Sequence, residues 1–187
     1  MNDSKIPEGA KKVFSGILFD TYQWEQELFD GSTATFEMLR RQDAAFIIPV
    51  LENGNLLITE VLQPGVSPKL SFPAGGIEKG ETPEEGIRRE FLEETGYVPG
   101  ELIPFTSIQP INKIDWTVHV FIGRNCEKVQ EPQDDPGEKV TCKEITFDEL
   151  LLLADKKEFQ HSLLVPYLIK ARYDKKERAT LKTILYG

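Results

Sequence analysis

A chain of 187 residues, 40% hydrophobic and 28% charged, has the composition of a globular protein and is long enough to bury a substantial core. Its net charge of −9 and pI near 4.9 disfavour duplex nucleic acid as a partner, since no basic run offsets the repulsion, while a small anion screened by cations stays compatible. Apolar runs such as AFIIPVL are far shorter than the ~20 residues that span a bilayer, and MNDSKIPEGAKK lacks the apolar core of a signal peptide, so no membrane role is expected.

Residues 1–10 read as a loose tail. From Lys11 the pattern turns to strands: VFSGILFDTYQWEQELF, a turn at Asp30-Gly31, then TATFEMLRR. Aspartate-glycine between β-rich runs marks a hairpin. Residues 1–42 are therefore taken as an N-terminal antiparallel β extension, and residues 43–187 as the main domain. Phe19, Tyr22 and Trp24 read first as sheet packing and second as a stacking platform for a base. Arg40 and Arg41 close the stretch; two adjacent arginines before a core strand can meet a phosphate bidentately. AAFIIPVLENGNLLITEVL forms a second hairpin turning at Asn53-Gly54. QPGVSPKLSFPAGG is a loop with one short strand.

A helix follows over Pro83–Thr95. Thr82 with Glu85 makes a capping box, Pro83 takes the first helical position, and Gly96 suits the left-handed residue past the end. Glu90, Glu93 and Glu94 fall at i, i+3 and i+4, so their carboxylates share one face. Like charges so spaced destabilise a helix by roughly 0.2–0.5 kcal/mol per pair. Ile87 and Phe91 form an adjacent apolar stripe. Gly86 costs about 1 kcal/mol against alanine, and its missing side chain is expected to leave room near the carboxylates. Such a face is either merely solvated or a site for a hard divalent cation, which wants carboxylate and carbonyl oxygens.

Beyond the helix, ELIPFTSIQPI reads as strand then turn. DWTVHVFIG is a strand with Val118, Val120 and Ile122 on one face and Thr117, His119 and Phe121 on the other; His119 reads as structural. Residues 127–138 are polar, carry five acids, and form either a solvated loop or a functional lid. KVTCKEI is a strand. Thr146 with Glu149 caps a helix beginning FDELLLL, and SLLVPYLIKARY follows as an amphipathic helix with Pro166 in its first turn. Cys126 and Cys142 lie in no metal-ligand or CxxC spacing, and they are read as free thiols of a reducing compartment, hence cytoplasmic. Strands around one central helix, with helices after them, give an α+β class.

The spacing across residues 75–97 is more specific than any of these features. Gly75, Glu81, then Arg89, Glu90, Phe91, Leu92, Glu93, Glu94, Thr95, Gly96 and Tyr97 resemble the Nudix box, G-x5-E-x7-R-E-U-x-E-E-x-G-U. All seven fixed positions match over 23 residues, with Phe91 and Tyr97 as bulky variants at the U positions. Pro73-Ala74-Gly75-Gly76 further resembles the ADP-ribose and nucleoside diphosphate sugar pyrophosphatase branch. The chain departs from that branch at Gln63, in LQPG where an RQYR-like stretch is usual, and at Ser71, where a glutamate is usual.

The resemblance implies a Nudix fold, a mixed β-sheet between helices. It implies hydrolysis of a nucleoside diphosphate linked to another group, such as a nucleotide sugar or ADP-ribose, with Mg2+ or Mn2+ between the acidic helix and the diphosphate. The implied metal ligands are Glu90 and Glu94, with Glu93 ligating or orienting water and Ala74 offering its carbonyl. Arg89 is counted with the catalytic residues and is expected to hold the loop and helix together through Glu81. A general base is sought near the attacking water: Glu138 first, then Glu93, with Asp135 also open. Arg40, Arg41 and Gly75 are the substrate-binding candidates. A homodimer built through the N-terminal strands is implied, and the partner is a small nucleotide rather than nucleic acid or membrane. A silent Nudix-like nucleotide sensor is the rival reading, although the metal-site glutamates are retained; a calcium-binding module lacks the D-x-D-x-D-G loop.

Overall fold

The computed structural model describes residues 4–133 and 136–187. A smaller sheet forms from β1 (Lys11–Ser15), β2 (Asp20–Glu27), β3 (Thr33–Arg40) and β10 (Ile114–Asp115), in that order. The β2–β3 hairpin turns at Asp30-Gly31, where Gly31 takes φ +83°. The larger sheet follows the order β12 (Lys139–Ile145), β5 (Leu56–Leu62), β4 (Ala44–Leu51), β11 (Val118–Lys128) and β8 (Tyr97–Val98). From it branch β6 (Lys69–Ser71) on β5, β7 (Ala74–Gly76) on β4, and β9 (Glu101–Ile108) on β11. The central β4–β11 pair is parallel and its flanking pairs are antiparallel, which makes the sheet mixed.

The central strands are apolar at nearly every position because both sheet faces are covered. Phe46, Ile48 and Val50 on β4 join Val118, Val120 and Ile122 on β11 in one core. That core is closed by helices α2 (Phe147–Leu152), α3 (Val165–Tyr173) and α4 (Lys175–Tyr186), through Leu150, Leu168 and Leu185. Ala45, Ile47 and Leu51 point the other way with Phe121, and meet Ile87 and Phe91 of α1 (Pro83–Thr95). The period-two alternation read along 117–122 thus puts Val118, Val120 and Ile122 in one core and Phe121 in the other, with Thr117 and His119 only partly buried. The result is the α+β sandwich expected from the sequence. Among the described residues no helix is long and apolar enough to cross a membrane.

Helix α1 begins and ends as its sequence demands. Thr82 Oγ1 accepts the Glu85 N–H at 3.2 Å while Glu85 Oε2 accepts the Thr82 N–H at 2.8 Å. Such a cap contributes about 1 kcal/mol. Gly96 sits at φ +77° and donates its N–H to Leu92 O at 2.8 Å. Ile87 and Phe91 are 0% exposed, each contributing about 1.5–3 kcal/mol of apolar burial that outweighs the repulsion on the acidic face.

Four expectations need correction. Residues 4–6 are no loose tail: Ser4 Oγ and the Lys5 N–H both bond the Asp115 carboxylate, at 2.9 and 3.0 Å, and Ile6 is buried. A methyl on Gly86 would lie 3.2 Å from Glu81 Oε2 and 3.4 Å from the Ile77 Cα, so the missing side chain makes room for the chain's own loop. β11 continues through Lys128, which shortens the acidic loop from its N-terminal side. Finally, α4 was not anticipated; Asp174 caps it by accepting the Lys176 and Glu177 N–H groups.

Candidate active site

The site is assembled where α1 docks beside β7. The Arg89 guanidinium has five N–H donors, and the structure offers each an acceptor. Its Nε and Nη2 fork onto the two oxygens of Glu81 at 2.8 and 3.0 Å, and Nη2 also reaches Gly76 O at 3.0 Å. Nη1 meets Glu90 Oε1 at 2.9 Å and Glu93 Oε2 at 3.2 Å. The expected Arg89–Glu81 contact is therefore present, and it ties the loop to the helix. Glu81 strengthens the hold of Arg89 on its proton, and Arg89 in turn lowers the Glu81 pKa. Arg89 thereby joins the loop to Glu90 and Glu93 of the helix.

The acidic face is not freely solvated. Glu90 is packed so closely against Gly75 that a Cβ there would lie 2.0 Å from the Glu90 carboxyl carbon. Burial raises the Glu90 pKa, with Arg89 opposing. Glu94 is deeper: burial pushes its carboxyl up to about 8, the Ala74 N–H opposes this, and the charges of Glu90, Glu138 and Glu93 add to it. The Ala74 N–H donates to Glu94 Oε2 at 3.3 Å, which sets that peptide against the carboxylate.

Glu90, Glu93 and Glu94 form one wall of a cleft of about 680 Å³, and Pro132, Gln133, Pro136, Glu138, Lys139 and Val140 form the other. The loop forming the second wall is stitched to the end of α1. Gly96 O accepts the N–H groups of Val129 and Gln130 at 2.9 and 3.2 Å, and Glu93 O accepts the Gln133 N–H at 2.8 Å. A Cβ on Gly96 would lie 2.0 Å from Gln130 O, so this glycine serves both the left-handed turn and the close approach of the loop. Glu138 comes to face Glu94 closely enough to raise its pKa. Of the two alternatives for the base, Glu93 lines the same cleft and Asp135 lies outside the described residues.

This donor set fits a hard divalent cation in its chemistry: clustered carboxylates beside a peptide group, with their negative charge disfavoured by burial and by one another. Among the described residues no three His, Cys, Asp or Glu side chains stand together closely enough, as placed, to hold a metal ion.

The two arginines separate. Arg40 donates from Nε and Nη2 to Asp115 Oδ2 at 2.9 and 2.7 Å, and from Nη2 to Ser4 Oγ at 2.6 Å. Arg41 instead stacks its guanidinium 4.5 Å over the Trp116 ring, with Phe19 at 5.7 Å. Both arginines line a second cavity, about 340 Å³, with Ser4, Asp43, Gln109, Asp115 and Thr117, and neither lines the carboxylate cleft. Of the N-terminal aromatics, Tyr22 lies under Arg40 at 4.9 Å and Trp24 packs on Phe36. His119 is structural as read, paired with Ser107 Oγ at 2.8 Å. The sequence reading passed over Asp115 and His161, because nothing local marks either; their partners lie 75 and 89 residues away.

A model of the NUDIX domain family matches residues 40–168 of the chain. An ADP-ribose pyrophosphatase from Bacillus subtilis is 30% identical, over 79% of this chain and 82% of that protein. A methanol dehydrogenase activator from Bacillus methanolicus is 29% identical, over 83% and 86%. A crystal structure described as an ADP compounds hydrolase superposes with TM-score 0.73 at 19% identity, covering 91% of this chain and 95% of that one, which is a likeness of fold.

Proposed function

Because the chain belongs to the Nudix family and is a Nudix pyrophosphohydrolase, we propose that it hydrolyses the diphosphate of a nucleotide sugar or ADP-ribose, giving a nucleoside monophosphate and a sugar phosphate. One observation carries the reading: three carboxylates on α1 face Glu138 across a cleft of about 680 Å³, large enough for a diphosphate and its flanking groups. The Bacillus subtilis relative, an ADP-ribose pyrophosphatase by name, supports the choice of substrate.

Glu90 and Glu94, with Glu93 and the Ala74 carbonyl, would hold the divalent cation, Mg2+ or Mn2+. Such an ion would supply positive charge to offset that of the diphosphate and would acidify a water. Glu138 accepts the proton of the attacking water as its oxygen bonds to phosphorus and the bridging P–O bond breaks. Arg89 holds the glutamates in place, and Gly75 lets the backbone come close to Glu90. Arg41 meets the substrate; Arg40 supports it from the Asp115 side. Residues 43–187 carry the cleft carboxylates, and residues 1–42 add the two arginines and build a homodimer.

The test is a substrate panel with Mg2+: nucleotide sugars, ADP-ribose, dinucleoside polyphosphates and oxidised nucleoside triphosphates, read by phosphate release after phosphatase coupling. Turnover of an ADP-ribose-type substrate, lost by orders of magnitude in Glu94→Gln, is the expected result. A flat panel favours a nucleotide sensor instead.

A further inference from the structure

His161 lies on the connection before α3, yet its ring is inserted under the strand that leads into the site. Its Nε2 accepts the Phe72 N–H at 2.9 Å, and Ser71 Oγ stands 3.0 Å away. The ring packs among Phe46, Phe72 and Phe159, with centroids 4.1, 5.4 and 5.6 Å away. The backbone follows the same course: Leu70 N–H bonds Glu158 O, and Gln160 N–H bonds Leu70 O, both at 2.9 Å. An acceptor at Nε2 requires a neutral ring with its proton on Nδ1.

The contacts continue directly into the cleft. Phe46, whose ring lies closest to His161, is the β-sheet partner of Ala74. Ala74 is two residues beyond Phe72 and donates to Glu94, and Gly75 is packed against Glu90. Phe72 is anchored by its side chain, 1% exposed between Phe46 and Phe159. Downstream, Pro73 O accepts the Ile47 N–H at 3.1 Å and β7 pairs with β4; the peptide entering Phe72 is set by its bond to His161. A buried amide needs an acceptor, and here it is supplied by a side chain from the connection before α3 rather than by a neighbouring strand.

We propose that His161 is a positioning residue for the reaction, fixing through its Nε2 acceptor the backbone of residues 72–75 and hence the places of Ala74 and Gly75 against Glu94 and Glu90. The proposal rests on the hydrolase reading of the cleft. It also gives Ser71 a role, since this chain has the small hydroxyl beside His161 where the resembling branch has a glutamate.

The test compares His161→Leu, which keeps the volume and loses the acceptor, with His161→Gln, which can restore one. His161→Leu is expected to stay folded by circular dichroism, to lose about 10–100-fold in kcat, the scale of a misplaced reacting group, and to keep KM within about threefold. Amide hydrogen exchange at Phe72, Ala74 and Gly75 should quicken about tenfold, and His161→Gln should recover most of both effects. Wild-type kcat with unchanged exchange in the leucine variant overturns the proposal. So does an activity loss that only follows the unfolded fraction. Should His161→Leu fail to fold, long-range 1H–15N spectra of the wild type decide: the proton must sit on Nδ1, and a proton on Nε2 overturns the assignment. Exchange and nitrogen spectra need no turnover, so a chain that hydrolyses nothing in the panel still tests His161 separately.

Discussion

The Glu90 carboxyl carbon occupies the space 2.0 Å from where a Cβ on Gly75 would stand. A side chain at position 75 and the present Glu90 position are mutually exclusive. The Glu90 side chain is flexible, so Gly75→Ala should fold, with a melting temperature a few degrees lower at most. The methyl turns Glu90 away from the cleft, and kcat should fall by roughly 10²-fold or more. Steady-state kinetics beside a thermal melt check this; near-native kcat would mean that Glu90 acts from another position.

Glu138→Gln addresses the base. It should lower kcat by about 10²–10⁴-fold, the range for general acid–base groups, with little change in KM for the metal–substrate complex. The acidic limb of the pH–rate profile should disappear as well. If rate and limb both survive, Glu93 becomes the residue to test.

Arg40 and Arg41 should behave differently despite adjoining in sequence. Removing Arg40 leaves the buried Asp115 carboxylate short of its charged donors, at a cost of about 1–3 kcal/mol in stability. Arg41→Ala should leave the melt nearly unchanged and raise KM about tenfold if the stacked guanidinium binds substrate. Chemical denaturation and initial rates on the two variants separate the roles; equal effects on both quantities would refute the division.

His161 also predicts a pH dependence of stability. Burial lowers its pKa from 6.5 to about 4 in the folded chain, so the unfolded chain binds the extra proton first. The associated stability is complete above pH 6.5 and is lost progressively as pH falls towards 4. The amount is on the order of 3 kcal/mol for this buried group. Denaturation midpoints between pH 7 and 4 should fall more steeply in wild type than in His161→Gln; parallel curves would place the titration elsewhere.

The N-terminal sheet leaves Phe14 61%, Ile17 104%, Leu18 66% and Phe29 115% exposed. Phe14, Ile17 and Leu18 crowd the β1–β2 turn, while Phe29 stands at the opposite end of β2; a second copy of the chain is the expected occupant of the Phe14–Leu18 patch. Light scattering at micromolar concentration should give a dimer. Phe14→Glu with Leu18→Glu should give a monomer that keeps its circular dichroism spectrum. A wild-type monomer defeats the assignment.

Much of the site was written in local spacing. Glu90, Glu93 and Glu94 share a helix face because 3.6 residues make a turn, and Thr82, Pro83 and Gly96 mark the ends of that helix without help from the rest of the chain. The contact of Arg89 with Glu81 was legible for the same reason, as both lie within one loop–helix unit. The alternation along β11 likewise assigned its side chains to two faces, though not what covers each. Tertiary structure alone decided which of two adjacent arginines is spent on Asp115, since that choice depends on β10 pairing with β3 across the chain. It alone turned residues 4–6 into an anchor, filled the space beside Gly86 with Glu81 and Ile77, and brought His161 to Phe72. Local periodicity encodes which face a side chain occupies; which distant group meets it is set by strand order and register, and those follow only from burying both faces of the sheet at once.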